Sequence, residues 1–341
     1  MPSERRVVSS TAQRPSVVVV GGGHGCSRSL AALLRLDVAP TAIVTVADDG
    51  GSSGRLRRDH DVVGLGDLRM ALLALADHPA APPHQRGEIA ALARRRFARG
   101  ELAGHSLGNL LLLGLLEEHD GDLIAALDAF ARMVGAAGRV LPATTMPVTL
   151  AAETASGPVA GQAAVATATR IRSVRLRPGD APPATGVLEA IGEAELVLLG
   201  PGSLYTSVLP NLLVAGVADA LRTTSARVVL VGNLREQPGE TEGMDLADHV
   251  DALVHHLPGL RIDILLAHER SDRREERSDR REPAATSRGP LPIDEQRLAP
   301  HVAAIVRADL GEELAGHDPD RLAAAVAALL APPSTGAAEA G

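Results

Sequence analysis

Two adjacent carboxylates, Asp48 and Asp49, run directly into Gly50-Gly51-Ser52-Ser53-Gly54. Hard cations such as Mg²⁺ prefer oxygen ligands, so a pair of this kind can hold a metal beside phosphates, hydrogen-bond a sugar hydroxyl, or simply cap a turn. Upstream, Gly21-Gly22-Gly23-His24-Gly25 follows four valines, Val17 to Val20. A buried strand that opens into glycines lets backbone approach a ligand, while the next helix turns free N–H groups toward an anion. The dinucleotide fingerprint G-x-G-x-x-G is not met, because its sixth position is Cys26 counted from Gly21 and Arg28 counted from Gly23. The pattern predicts a phosphate-binding turn and not an NAD site. A third glycine-rich strand end, Gly200-Pro201-Gly202-Ser203, follows Glu195 to Leu199, with Ser203 and Thr206 placed to donate to phosphate. Tyr205, the one tyrosine, either lines the pocket or packs in the core.

Other residue types suggest chemistry more weakly. Asp67, in Gly66-Asp67-Leu68-Arg69, stands where a helix N-cap or a ligand-facing carboxylate would stand. Gly104-His105-Ser106-Leu107-Gly108 fits the nucleophile elbow G-x-S-x-G, but no convincing strand precedes it, so a serine hydrolase is disfavoured. A helix start would lower the thiol pKa of Cys26, yet a small residue packed on the glycine loop is the preferred reading. His255 and His256 are adjacent and point apart, which disfavours zinc. Arg94-Arg95-Arg96 reads as a solvated basic face.

These segments resemble the gluconeogenesis factor (YvcK-like) family, relatives of 2-phospho-L-lactate transferase in the CofD-like superfamily. The resemblance rests on Gly21 to Gly25, Thr45 to Arg57, Gly66 to Arg69, Gly104 to Leu110, Gly200 to Ser207 with Pro210 to Leu213, and Gln237 to Thr241. It implies that Asp67, Arg69, His105, Ser106 and Asn109 bind ligand together with the three glycine loops, Asp48, Asp49, Ser52 and Ser53. It further implies a cytoplasmic factor supporting cell shape and wall metabolism during gluconeogenic growth, with UDP-N-acetylglucosamine or UDP-glucose as ligand. The alternative it implies is a Mg²⁺-dependent transferase, with Asp48 or Asp49 taking the proton of a deazaflavin alcohol. Otherwise no cofactor is expected. The chain departs from the family at His24, Met70, Leu234 to Glu236 and Gly316 to Pro319.

The elements needed to position these residues are those of a Rossmann-like three-layer α/β fold with a mainly parallel sheet. Strands are expected at Val17–Val20, up to Asp49, at 139–142, 148–153, 195–199, 227–231, 261–267 and 302–309. Helices are expected at 26–36, 87–99, 110–116, 122–133 and 318–330. One domain is expected over 15–331, with tails at 1–14 and 332–341. The heptad Glu269 to Glu275 is repeated as Glu276 to Glu282, and 269–290 is read as a disordered charged insertion.

Composition narrows the chemistry. All 34 basic residues are arginine, which removes any Walker-A or Schiff-base lysine. A net charge of −8, with no Trp, one Tyr and two Phe, argues against nucleic acid, which needs basic surface and stacking partners. The single cysteine excludes an internal disulfide. No signal peptide or long apolar run is evident, so no membrane insertion is expected. A homo-oligomer is left open.

Overall fold

The computed structural model describes residues 14–78, 87–270, 289–312 and 314–331. The expected tails and the duplicated heptads lie outside these residues, apart from Arg14, Glu269, Arg270, Gly289 and Pro290.

Ten strands carry the fold: β1 (Ser16–Gly21), β2 (Ala39–Val44), β3 (Arg139–Pro142), β4 (Thr149–Thr154), β5 (Gly157–Ala160), β6 (Ile171–Arg177), β7 (Leu196–Leu199), β8 (Arg227–Val231), β9 (Ile262–His268) and β10 (Val302–Ala308). Seven of them form one sheet in the order β10-β9-β8-β7-β1-β2-β3, and every pairing in it is parallel. This is an α/β fold with helices on both faces of the sheet. Val17 to Val20 and Leu196 to Leu199 are fully buried. Strands covered on both faces tolerate only apolar side chains, which explains the unbroken valine and leucine runs.

The chain builds β1 to β3 toward one edge, then returns to the other side of β1 with β7. This reversal leaves a crevice outside the carboxyl ends of β1 and β7, the usual place for a ligand in an open parallel sheet. The middle of the chain forms the expected β-rich excursion, an antiparallel sheet of order β5-β4-β6. Its third strand, Ile171–Arg177, was hidden in a polar stretch, because alternate side chains are solvated.

Helix α1 (Gly23–Leu33) starts inside the glycine run, three residues earlier than expected. Helix α2 (Gly51–His60) absorbs most of what reads as a glycine-serine loop. Gly54 is required there, since a Cβ would collide with the carbonyl of Asp49. β2 stops at Val44, so Asp48 and Asp49 lie in the irregular segment beyond it. Next come α3 (Gly66–Leu75), α4 (Glu88–Arg94), α5 (Leu107–Glu118) and α6 (Leu123–Val134). α4 ends at Arg94, well short of residue 99, because Arg95 turns extended and Arg96 bridges to Ser106. α6 is capped at both ends: the Asp122 carboxylate accepts from Ala125 N–H, and Gly135 takes a left-handed φ of 71°. Among the described residues no single helix is long and apolar enough to cross a membrane.

Candidate functional site

The glycine loops after β1 and β7 touch. A Cβ on Gly25 would overlap the Pro201 carbonyl oxygen and lie 2.6 Å from Pro201 C and 2.8 Å from Gly202 Cα. Around this junction a crevice of about 530 Å³ is lined by His24, Gly25, Arg28, Gly202, Asn233 and Gln237, among others, and by His317 from the ribbon Gly311–Glu312/Gly316–His317. The opening N–H groups of α1 lack intrahelical partners and give the loop its anion-seeking end. Gly202 is gripped by Asn233, whose Oδ1 accepts from Gly202 N–H at 3.3 Å and whose Nδ2 donates to Gly202 O at 3.1 Å. Gln237 Nε2 donates to Ser203 Oγ at 3.0 Å, and Gln237 Oε1 is buried without a partner. The family resemblance brings the loop from Asn233 into Gln237 to the site without naming its contacts; the side chains of Asn233 and Gln237 supply them.

Beside Gly22 lies a second, polar group of residues. A Cβ on Gly22 would stand 2.6 Å from Asp67 Oδ2, and one on Gly66 would stand 2.6 Å from both Asp48 Oδ2 and Ser53 Oγ. Asp67 accepts a hydrogen bond from Gly23 N–H. Desolvation, and then the charge of Asp48, push its carboxyl up to about 7. Cys26, beneath the loop, is fully buried and its thiol is pushed up to about 12 by burial, so it is inert as a nucleophile.

The two adjacent carboxylates part company. Asp48 faces Gly66 and Asp67, while Asp49 accepts from Gln162 N–H at 3.1 Å and Ala163 N–H at 2.9 Å, capping α7 (Gln162–Ala166). The two neighbours thus act in different places: Asp48 Oδ1 accepts from Gly50 N–H at 3.0 Å and its charge is felt by Asp67, while Asp49 serves α7. Among the described residues no group of three or more His, Cys, Asp or Glu is placed to hold a metal ion.

His105, Ser106 and Asn109 also divide. Ser52 Oγ receives a hydrogen bond from Asn109 Nδ2 at 3.1 Å and shares a second one with His105 Nδ1 at 3.0 Å, whose direction the imidazole tautomer sets. Burial, reinforced by Arg55, lowers the pKa of His105 and keeps that ring neutral. Ser106, the N-cap residue of α5, is fully buried; its Oγ donates to Ala93 O at 3.1 Å and accepts from Arg69 Nη1 at 2.8 Å. No strand of more than one bridge precedes it. We expect a fluorophosphonate probe to leave Ser106 unlabelled, and Ser106→Ala to lower stability by about 1–3 kcal/mol through the stranded Arg69. Labelling at Ser106 by mass spectrometry would reverse this assignment.

Part of the turn after β7 is already engaged. Its helix, a π-turn over Leu204–Val208, already carries a carboxylate: Glu240 accepts from Tyr205 N–H at 2.6 Å, Thr206 N–H at 3.1 Å and Thr206 Oγ1 at 2.9 Å. The Glu240 carboxyl thus takes up the N–H groups of Tyr205 and Thr206 at the start of that turn. Tyr205 is 4% exposed and packs edge-on against His256, with ring centroids 6.2 Å apart. Of the two readings of Tyr205 the core position is the one observed, and Thr206 is buried with its N–H and hydroxyl both donating to Glu240.

With this geometry in place, comparison with known proteins identifies the family. The profile described as 2-phospho-L-lactate transferase CofD matches residues 17–310. The chain belongs to the CofD family. Within that family it is similar to proteins named for gluconeogenesis. A Mycobacterium tuberculosis relative in this group is 47% identical over 264 residues, covering 74% of this chain and 76% of its own. A Halalkalibacterium halodurans protein named gluconeogenesis factor is 41% identical over 259 residues, covering 75% of this chain and 78% of its own. A crystal structure of a UPF0052-family protein from Bacillus halodurans superposes with a TM-score of 0.80 at 36% identity, covering 92% of this chain and 99% of that one. The CofD family and the gluconeogenesis factor relatives give this chain either a gluconeogenesis-related role or a CofD-like transferase role.

Proposed function

We propose that the crevice between the β1 and β7 loops takes a nucleoside diphosphate sugar, UDP-N-acetylglucosamine or UDP-glucose, and that the protein is a cytoplasmic regulatory factor acting on cell-wall metabolism and cell shape. The observation that carries the reading is the crevice itself, at the point where the strand order reverses. Its volume of about 530 Å³ falls in the usual range for small-molecule sites. The α1 amides and Arg28 offer the positive end for a diphosphate, while Asn233, Gln237 and Ser203 offer neutral groups for a sugar. Among the described residues no activated nucleophile lines the crevice: Cys26 is buried, and the Ser52 and Ser106 hydroxyls are already engaged. Titration calorimetry should give saturable binding of either UDP-sugar, with the ligand recovered intact after hours. Turnover of the sugar nucleotide would refute the regulatory reading.

The pairing of Asp48 with Asp67 supports a second reading, a Mg²⁺-dependent transferase of the 2-phospho-L-lactate type. Mg²⁺ is commonly held by one or two carboxylates plus substrate phosphates, and two part-buried carboxylates near one another suit it. Asp48 and Asp67 would hold the ion, and Asp49 would not, because its oxygens cap α7. Bound there, the metal would neutralise phosphate charge. The aromatic residues argue the other way: Phe130 and Tyr205 are buried, which leaves only the half-buried Phe97 to stack on a deazaflavin. Supplying guanylyl-linked lactate, Mg²⁺ and a deazaflavin acceptor, then looking for product by mass spectrometry, separates the two readings.

A further inference from the structure

Behind the α1 N-terminus, on the side away from the β7 loop, lies a separate depression of about 420 Å³ lined by His24, Ser27, Arg28, Arg69, Arg94 and Arg96, with Asp77 and an apolar floor that includes Met70 and Leu73. Among the described residues four guanidinium groups line it and one carboxylate answers them. That carboxylate, Asp77, is already paired with Arg94 at 2.6 Å. Arg94 also donates to Leu73 O at 2.6 Å and Ala90 O at 3.2 Å, and Arg96 donates to Gly104 O at 2.9 Å. Carbonyl oxygens position these groups without cancelling their charge.

Arg69 is the unusual member. It is only 6% exposed, its Nη1 is spent on Ser106 Oγ, and its Nε is buried with no acceptor among the described residues. An under-satisfied, desolvated guanidinium is costly, and two more arginines facing the same space add repulsion. The crowding is visible in its ionisation: burial first, then the charges of Arg96 and Arg94, lower the Arg69 pKa to about 10, against the opposing pull of Asp67 and Asp48 from the far side. Such an arrangement is stable when an anion with several oxygens sits among the forks, since guanidinium and phosphate pair through parallel hydrogen bonds.

We propose that this depression is a second anion site, distinct from the crevice, that binds the phosphate group of a small phosphorylated metabolite. Its size leaves room for an organic moiety of a few carbon atoms over the floor of Met70 and Leu73. His24 and Arg28 face both this site and the crevice, because they lie one turn apart on the exposed face of α1. Arg94 and Arg96 face this site alone.

The test uses the whole chain and inorganic phosphate as probe, with citrate as the polycarboxylate comparison. Phosphate should protect the wild-type protein against thermal unfolding in a saturable way, and Arg96→Gln should weaken that binding about tenfold, the loss expected for one charge-assisted pair. Arg96→Lys should restore part of it, and UDP-sugar affinity should be the same in all three proteins. Because Arg96 is exposed, its replacement should leave the unliganded melting temperature unchanged. Equal phosphate response in wild type and Arg96→Gln would overturn the proposal, as would citrate binding more tightly than phosphate. Loss of UDP-sugar binding in Arg96→Gln would show that there is one site and not two. Failure of UDP-sugars to bind wild-type protein would count against the crevice reading alone.

Discussion

Gly25→Ala is expected to abolish nucleotide binding and to cost the fold about 3 kcal/mol or more. The added methyl has nowhere to go: it would overlap the Pro201 carbonyl oxygen and press on Gly202 Cα at 2.8 Å, both rigid backbone. The loops after β1 and β7 must then separate, and the crevice they form opens with them. Gly23→Ala provides the control. Gly23 has a φ of +58° but nothing within 4 Å of a Cβ, so alanine there should cost only about 1 kcal/mol of backbone strain and leave the junction closed. Melting temperature and calorimetric titration of both variants distinguish the two effects. A Gly25→Ala protein that binds UDP-sugar as well as wild type would detach this junction from the ligand.

The second large effect is a pH dependence centred on Asp67. Its carboxyl is raised from 3.8 to about 7, chiefly by desolvation and secondly by Asp48, with Gly23 N–H and Arg69 opposing. In the unfolded chain the proton leaves near the lower value, so between the two the native state binds more protons than the unfolded one. Stability from this group is therefore full below about pH 4 and is lost as pH rises toward about 7. Asp67→Asn keeps an oxygen for Gly23 N–H and removes the charge. It should match wild type near pH 4 and exceed it by about 2 kcal/mol above pH 7, a figure reduced from the full shift because the side chain is only partly covered. Ligand binding should move with it. A phosphate beside Gly22 and Gly23 is repelled by ionised Asp67, so wild-type UDP-sugar affinity should fall between about pH 6 and pH 8, while that of Asp67→Asn stays flat. Parallel pH profiles for the two proteins would remove Asp67 from the site. A loss of affinity in Asp67→Asn only when Mg²⁺ is present would instead favour the transferase reading.

Much of the fold is legible in one dimension because burial on both faces of a parallel sheet leaves a plain trace. Val17 to Val20, Leu196 to Leu199 and Val228 to Val231 are continuous apolar runs, and each ends in glycine where backbone must come close to something. Asp122 with Gly135, and Asp318 before Pro319, mark their helix ends by capping chemistry that acts over three or four residues. Strand β6 left no such trace, since an exposed strand reads as polar loop. Neither did the start of α2, where glycine and serine satisfy the close packing of Gly54 on Asp49 and not the flexibility of a loop.

The sequence by itself determined that glycine-rich turns follow β1 and β7, that carboxylates and hydroxyls lie near them, and that the chain offers no lysine and no internal disulfide. Those are properties of residue type and short spacing. Only the tertiary structure decided which polar groups meet. It paired Asp48 with Asp67 and not with its neighbour Asp49, His105 with Ser52 and not with Ser106, and Arg69 with the arginines of α4 and its exit, behind α1. It also set Glu240 on the N–H groups of Tyr205 and Thr206 in the turn after β7. The physical reason is the same each time: adjacent residues on extended or turning backbone point apart, and a buried polar group is satisfied by whichever partner the packing of distant elements brings within about 3 Å.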